Sequence, residues 1–402
     1  MISLDFNTLL EACSPGGPSC LNARSELLPA GGPESAVAPA KFAPQRGTES
    51  IYAYERRFVD GTVRETVLID SKQSQLNRAE AALVQAIADG HEVLQRLPRI
   101  EVVYNRDGAE ERYSDLQLPH RAFDGHIRAG TVDGVPTTDL PLYRALRDAT
   151  PANARPLLEA SPATLVFGGW DSTRKSRQGR WRSAVVGEVI GVCIDREPPK
   201  KGGARVDPVG MQVKLPGPKL KALADAQRGE LSPKLYKKLV DEAKDPKGEG
   251  VSASTLVLGG IPPSLVALGG VACERIIRSH VLSFATLRQM RFGAGPAGDA
   301  ACRALLAAVA LSGLARSDAE LYFRANCDLV EAGPPVVTMD RRSGRLEQLE
   351  PLDIATTDRL LADALREAES SAAVDFHGVV LEVAGNPDVI AGAVDEEEGA
   401  AQ

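Results

Sequence analysis

The chain has 402 residues, 43% hydrophobic and 25% charged, an ordinary globular composition with room for one elaborated domain or two plain ones. Its net charge of −7 taken alone argues against nucleic acid, and nothing approaches the roughly 18 apolar residues of a membrane span. Six scattered cysteines, with no CxxC and no nearby histidine pair, exclude the usual zinc patterns and fit reduced thiols in a cytosol; the acidic, interrupted N-terminus is no signal peptide.

Residues 4–12 read as a short helix. Residues 20–28 read as a first strand, closed by the Gly/Pro loop 29–33. Residues 34–50 are poor in core formers and read as a loop. Residues 52–59 and 63–69 form a hairpin, because Asp60-Gly61 between them is a strong two-residue turn signal. A helix follows to about residue 88, with Leu76, Ala79, Leu83, Ala86 and Ile87 on its apolar face and Ser71 or Ser74 as its cap. Gln73, Ser74, Asn77 and Arg78 crowd its first turns, where free N–H groups suit an anion; the same pattern also describes a plain, well-capped helix.

A second hairpin is expected at residues 100–104 and 112–118 around Arg106-Asp107-Gly108. His120-Arg121 and His126-Ile127-Arg128 beyond it read as a metal or phosphate site or as a simple loop. A short helix at 139–148 precedes the stretch 163–182, ATLVFGGWDSTRKSRQGRWR. Residues 164–167 read there as a buried strand that breaks at Gly168-Gly169, where the backbone can approach a ligand. Trp170, Asp171, Ser172 and Thr173 follow, and then five cations within nine residues: Arg174, Lys175, Arg177, Arg180 and Arg182. An aromatic, hydroxyls and cations at a strand end suit a phosphate backbone with stacked bases, or else a solvated loop.

Residues 184–194 read as a buried strand or the end of a helix, and 196–250 as a basic insertion with strand character at 206–215 and a helix at 233–243. Further on, 255–258, 276–284 and 321–330 are strand candidates, 276–290 being partly helical in the alternative. Residues 297–311 and 356–368 are helices, 378–383 a last strand, and 395–402 an acidic, disordered tail. Charge is segregated along the chain. Residues 172–221 carry twelve Lys or Arg against Glu188, Asp195, Glu197 and Asp207, a local balance of +8 that leaves −15 elsewhere. Ten of the thirteen lysines lie within 200–247. A field acts locally, so this distribution reopens the nucleic-acid reading that the net charge closed.

No P-loop, GxGxxG, GxSxG or HExxH is present, and Asp171 is the only carboxylate of the focal stretch, without a partner acid or histidine. It is expected to hold Arg, Ser or Thr groups in position. No catalysis, cofactor or metal is expected.

Two stretches carry a resemblance. The GGWDST segment with its cations, and DSKQSQLNRAEAAL at the helix start, resemble the type I-G (formerly I-U) CRISPR-associated RAMP proteins, the Cas-seven-class backbone subunits of Cascade; LNARSELLPAGGP fits that family's opening strand and loop. The matching motifs span residues 20–190. Arg174-Lys175-Ser176-Arg177 departs from the Gly-rich stretch that usually follows WDST.

The resemblance implies an α+β fold with a ferredoxin-like or RRM-like palm, a protruding hairpin thumb and helical insertions. Residues 1–394 would form a single elaborated domain, with the thumb at 196–250 or 100–118. It implies a non-catalytic cytoplasmic subunit whose copies polymerise along a CRISPR guide RNA and support pairing with target DNA, beside other Cascade subunits and a recruited helicase-nuclease, with no membrane partner. The residues expected on the RNA are Arg24, Lys72, Gln73, Ser74, Gln75, Asn77, Arg78, His120, Arg121, Trp170, Ser172, Thr173, Arg174, Lys175, Arg177, Arg180 and Arg182. The alternative is a metal-dependent endoribonuclease like type III backbone subunits, for which Asp107, Asp124 and Asp133 are the loop carboxylates. A stand-alone RNA-binding protein is the third reading.

Overall fold

The computed structural model describes residues 1–42, 52–106, 108–193, 200–201, 204–244, 250–262 and 267–392. These fall into two compact units, residues 1–196 with 272–402 and residues 197–271.

In the larger unit the elements used below are, in chain order, α1 (Phe6–Cys13), β1 (Cys20–Pro29), β2 (Tyr54–Val59), β3 (Thr62–Asp70), α2 (Lys72–Ala88), β4 (Arg99–Arg106), β5 (Ala109–Ser114), β6 (Val185–Cys193), β7 (Cys273–Ser283), α3 (Gly295–Glu320), β8 (Leu329–Glu331), β9 (Val336–Asp340), β10 (Leu346–Leu349), α4 (Ile354–Ala372) and β11 (Val379–Ala384). Eight strands form an antiparallel sheet in the order β10-β9-β1-β7-β6-β3-β2, with β8 pairing the end of β1. Within it, β9-β1-β7-β6 has the fourth-first-third-second order of a ferredoxin-like βαββαβ unit, with α2 and α3 as its two helices. The β2–β3 hairpin is inserted ahead of α2 and widens the sheet. Asp60 and Gly61 both take positive φ at its tip, as a tight hairpin turn requires.

Alternation along β1 explains which face is covered. Leu21 and Ala23 pack in the main core with α2 and α3, so Arg24 and Asn22, of opposite parity, lie on the other face. α3 is buried nearly all round because it is built from Ala, Leu and Gly, which let α2 and α4 approach closely; a Cβ on Gly313 would sit 3.1 Å from the Ala79 carbonyl. By length and composition α3 is apolar enough to cross a membrane, contrary to the sequence reading, yet nearly all of its apolar stretch is buried inside the protein. β4, β5 and β11 form a second sheet with the short strands Thr131–Val132 and Val135–Pro136.

Several expectations are corrected. Residues 164–167 are helical, within Pro162–Phe167, because Pro162 opens a helix and the run is buried on every side rather than on one. Strand at 206–215 reduces to Lys214–Leu215, and 255–258 holds a 3-10 turn, Ala253–Leu256, ending at left-handed Val257. The helix expected at 297–311 continues to Glu320 and leaves only Leu329–Glu331 as strand. The 100–118 hairpin is no free thumb: Ile100, Val102 and Tyr104 of β4 are core residues. The expected acidic tail lies outside the described residues.

The smaller unit has its own hydrophobic cluster, with Leu220, Ala224, Leu239 and Ala253 at its centre, between helices Gly217–Ala226 and Pro233–Glu242. The Arg228 guanidinium covers the Tyr236 ring at 4.2 Å, and the Tyr236 hydroxyl donates to Asp225 at 2.7 Å.

Candidate nucleic-acid interface

The sequence expected seventeen residues on the RNA; the structure sorts fifteen of them into three kinds and sets Arg24 and His120 apart. Four are tied into the interior. Asp70, fully buried at the end of β3, accepts from Gln75 Nε2 (2.6 Å), Ser74 Oγ (2.9 Å) and Arg78 Nε and Nη2 (3.0 and 3.1 Å), and also from Arg324. Gln75 passes the network on to His280 Nε2 at 3.0 Å, and Arg78 further donates to the carbonyls of Tyr322 and Phe323. Burial pushes the Asp70 carboxyl up, but the bonds from Arg78 and Gln75 and the two arginine charges outweigh it and hold it below the ordinary carboxylate range. Arg121 grips buried Glu80 bidentately (2.5 and 2.6 Å) and donates to the Gly168 carbonyl at 3.1 Å. Ser74, Gln75, Arg78 and Arg121 are thus structural in this fold.

Others brace the 170–182 loop. Asp171 is buried, accepts from Arg147 Nε at 2.8 Å and from Thr173 Oγ1 at 3.2 Å, and its N–H donates to Gly179 O, so it positions the loop as expected. Arg128 donates to Thr173, and the Ser172 carbonyl accepts from Gln178. Arg174 donates to the Arg147 carbonyl (2.6 Å) and pairs with Asp148 (2.7 Å), whose carboxyl it holds below the usual range. The loop leaves through Gly168, at φ +92°, where a Cβ would meet the Trp181 carbonyl at 3.0 Å; only glycine fits this return.

The third kind is free. Lys175, Arg177, Arg180 and Arg182 are exposed and make no ion pair among the described residues. Arg180 lies over the half-exposed Trp170 ring at 4.5 Å, across the short ladder Gly169–Trp170/Arg180–Trp181. Arg180 and Arg182 line a cleft of about 410 Å³ with Trp181, Thr286 and Gln289. Thr286 and Gln289 come from the turn after β7, about a hundred residues on, and nothing local in the sequence marks them. On α2, Lys72, Gln73 and Asn77 are exposed; Gln73 and Asn77 join Gln117, Arg121 and Phe167 around a groove of about 510 Å³. Both cavities adjoin the 167–182 segment.

Arg24 is not part of this grouping. It lies on the uncovered sheet face, opposite Ser279 and Val336. His120 is exposed, its N–H donating to Asp124 Oδ2 at 3.0 Å, while His126 Nδ1 is 2.6 Å from the Tyr104 hydroxyl. No group of three His, Cys, Asp or Glu able to hold a metal occurs among the described residues. Of the loop carboxylates, Asp124 is buried and spent on the N–H groups of His120 and His126, Asp133 is an exposed turn residue, and Asp107 lies outside the described residues.

Behind the interface, fully buried Asp115 accepts from Ser161 Oγ at 2.5 Å. Burial pushes its carboxyl up to about 7 against the pull of the Ser161 and Ser114 bonds, with the Glu80 charge adding to the rise. The folded state therefore holds a proton that the unfolded chain releases near pH 4. Stability from this group falls as pH rises from about 4 to about 7. Urea titrations across that range should show the decline in the wild type and a flatter profile in Asp115→Asn.

The fold defines the class first: an α+β protein built on a ferredoxin-like sheet. A likeness to a known family lies in its first half. Residues 21–196 match the family model described as CRISPR-associated protein GSU0053 (Cas_GSU0053), and this segment of the chain is similar to that family. The matched segment runs from β1 through α2 and the 170–182 loop to the end of β6. No curated protein matches the chain.

Proposed function

We propose that this protein is a non-catalytic guide-RNA-binding subunit whose copies line up along a CRISPR guide and form the backbone of a type I-G Cascade complex in the cytoplasm. One observation carries the reading. In a region where Arg78, Arg121, Arg147 and Arg174 are all committed to protein partners, Arg180 and Arg182 stay exposed and unpaired beside a half-exposed tryptophan. Unpaired cations retained next to an aromatic face suit phosphates and a stacked base. Thr286 and Gln289, which share a cleft with them, bond sugar or phosphate without selecting a base, as a subunit repeated along an arbitrary guide requires. The smaller unit, with lysines along both helices, is the segment we assign as the thumb; guide pairing with target DNA, contacts to other Cascade subunits and recruitment of a helicase-nuclease follow from the same reading.

Fluorescence anisotropy with labelled single-stranded RNAs of unrelated sequence tests it. The reading expects similar affinities for all sequences, a steep fall of affinity with salt and no cleavage with Mg²⁺. Sequence-selective binding, salt-independent binding or cleavage of the RNA would contradict it.

A further inference from the structure

The groove between α2 and residues 116–121 has a different chemistry from the arginine cleft. Its walls are apolar: Leu76, Leu116, Leu118 and Phe167. Its floor is the Glu80–Arg121 pair, in which each oxygen of the buried carboxylate already accepts from the guanidinium, so the floor offers no free charge. Its rim carries three carboxamides. Gln73 and Asn77 are exposed and have no hydrogen-bond partner among the described residues, and Gln117 uses only its oxygen, accepting from the Ser114 N–H at 2.9 Å.

A volume of about 510 Å³ falls within the roughly 300–1,000 Å³ of cavities that hold small ligands. A phosphate has no counter-charge here. A flat heteroaromatic ring does have partners: apolar walls for its faces and amides for its edge.

We infer that this groove receives a single unstacked nucleobase of the bound RNA, while the phosphate chain runs past Arg180 and Arg182. The inference rests on the guide-RNA reading above and deepens it. A carboxamide presents both an acceptor and donors and satisfies either kind of base edge by turning about its last bond. Gln73 and Asn77 are free to turn in this way, Gln117 adds its N–H donors, and with no fixed charge the three accept any base, so the groove serves a subunit that meets a new sequence on every guide. Phe167 ends the helix that precedes Gly168, which ties the groove to the Trp170 loop three residues on.

Photocrosslinking tests this on the full chain. A short oligouridine carrying 4-thiouridine is bound, irradiated and mapped by mass spectrometry on the wild type, with Ala81→Trp, which fills the groove from an exposed helix position, in parallel. Adducts within residues 73–81 or 116–121 are expected. Ala81→Trp should remove most of them and weaken binding by about tenfold, the value of one base contact, with the salt slope kept. Bound RNA whose adducts all lie elsewhere overturns the base site and leaves the RNA reading standing. Adducts unchanged by Ala81→Trp, together with loss of assembly with other subunits, would make the groove a protein-docking site instead. RNA that does not bind at all defeats the proposed function itself. The wild-type map decides the question even if Ala81→Trp folds poorly.

Discussion

Arg180→Ala combined with Arg182→Ala should weaken single-stranded RNA binding by about 100-fold at physiological salt and leave the melting temperature unchanged. Neither guanidinium holds an acid or a carbonyl, and Arg180 gives up only its contact with the half-exposed Trp170 ring, so the fold loses little when they go; exposed substitutions of this kind stay within about 0.5 kcal/mol. Each hydrogen bond to a charged group contributes about 1.5 kcal/mol, and two such losses amount to roughly 3 kcal/mol, or about 100-fold. The salt dependence should fall too, by about 0.7 per phosphate contact on a single strand. Anisotropy at several salt concentrations reads both numbers. A double variant that binds as tightly as wild type, with the same slope, would remove these residues from the interface.

Arg78→Ala should do the opposite: it should destabilise the protein by about 3 kcal/mol, with the folded fraction binding RNA normally. Asp70 is fully buried, and Arg78 supplies two of its bonds. Removing one partner of a buried pair leaves a charge without compensation, which typically costs about 3–5 kcal/mol; Arg324 remains and keeps the effect at the lower end. The pH dependence has a definite sign. The folded Asp70 carboxyl lies below its ordinary value of 3.8, so its contribution is present above about pH 4 and is lost as pH falls through the folded value. Urea denaturation at neutral and acid pH measures both. A variant of native stability that fails to bind RNA would return Arg78 to the binding surface.

The contrast between these arginines shows what one chain of letters reveals. The sequence marked Arg78 and Arg180 as equals, each a cation near a chain turn. Arg78 is eight residues from Asp70, but its remaining partners, the carbonyls of Tyr322 and Phe323, lie over two hundred residues away. Gln75 likewise meets His280, and the cleft beside Arg182 is completed by Thr286 and Gln289. Such pairings follow from strand order, which local pattern does not encode.

Elements with a strong local signal were legible. The β2–β3 hairpin announced itself through Asp60-Gly61, and α2 through a cap at Ser71 and an apolar stripe of 3.6 period. Residues 164–167 were not, because four consecutive buried residues, three of them apolar, carry no period, and a buried helix and a buried strand then read alike. Gln117 did leave a trace: a lone amide between two leucines, just ahead of His120-Arg121. Leu116 and Leu118 are both buried and leave Gln117 at the rim.

The central claim is that the protein carries guide RNA. Co-purification from cells bearing a matching CRISPR array, with sequencing of the retained nucleic acid, tests it most directly. The account predicts discrete repeat-spacer RNA bound by several copies of the chain, and its loss from the Arg180→Ala, Arg182→Ala variant. Clean protein, or a random sample of cellular RNA, would contradict it.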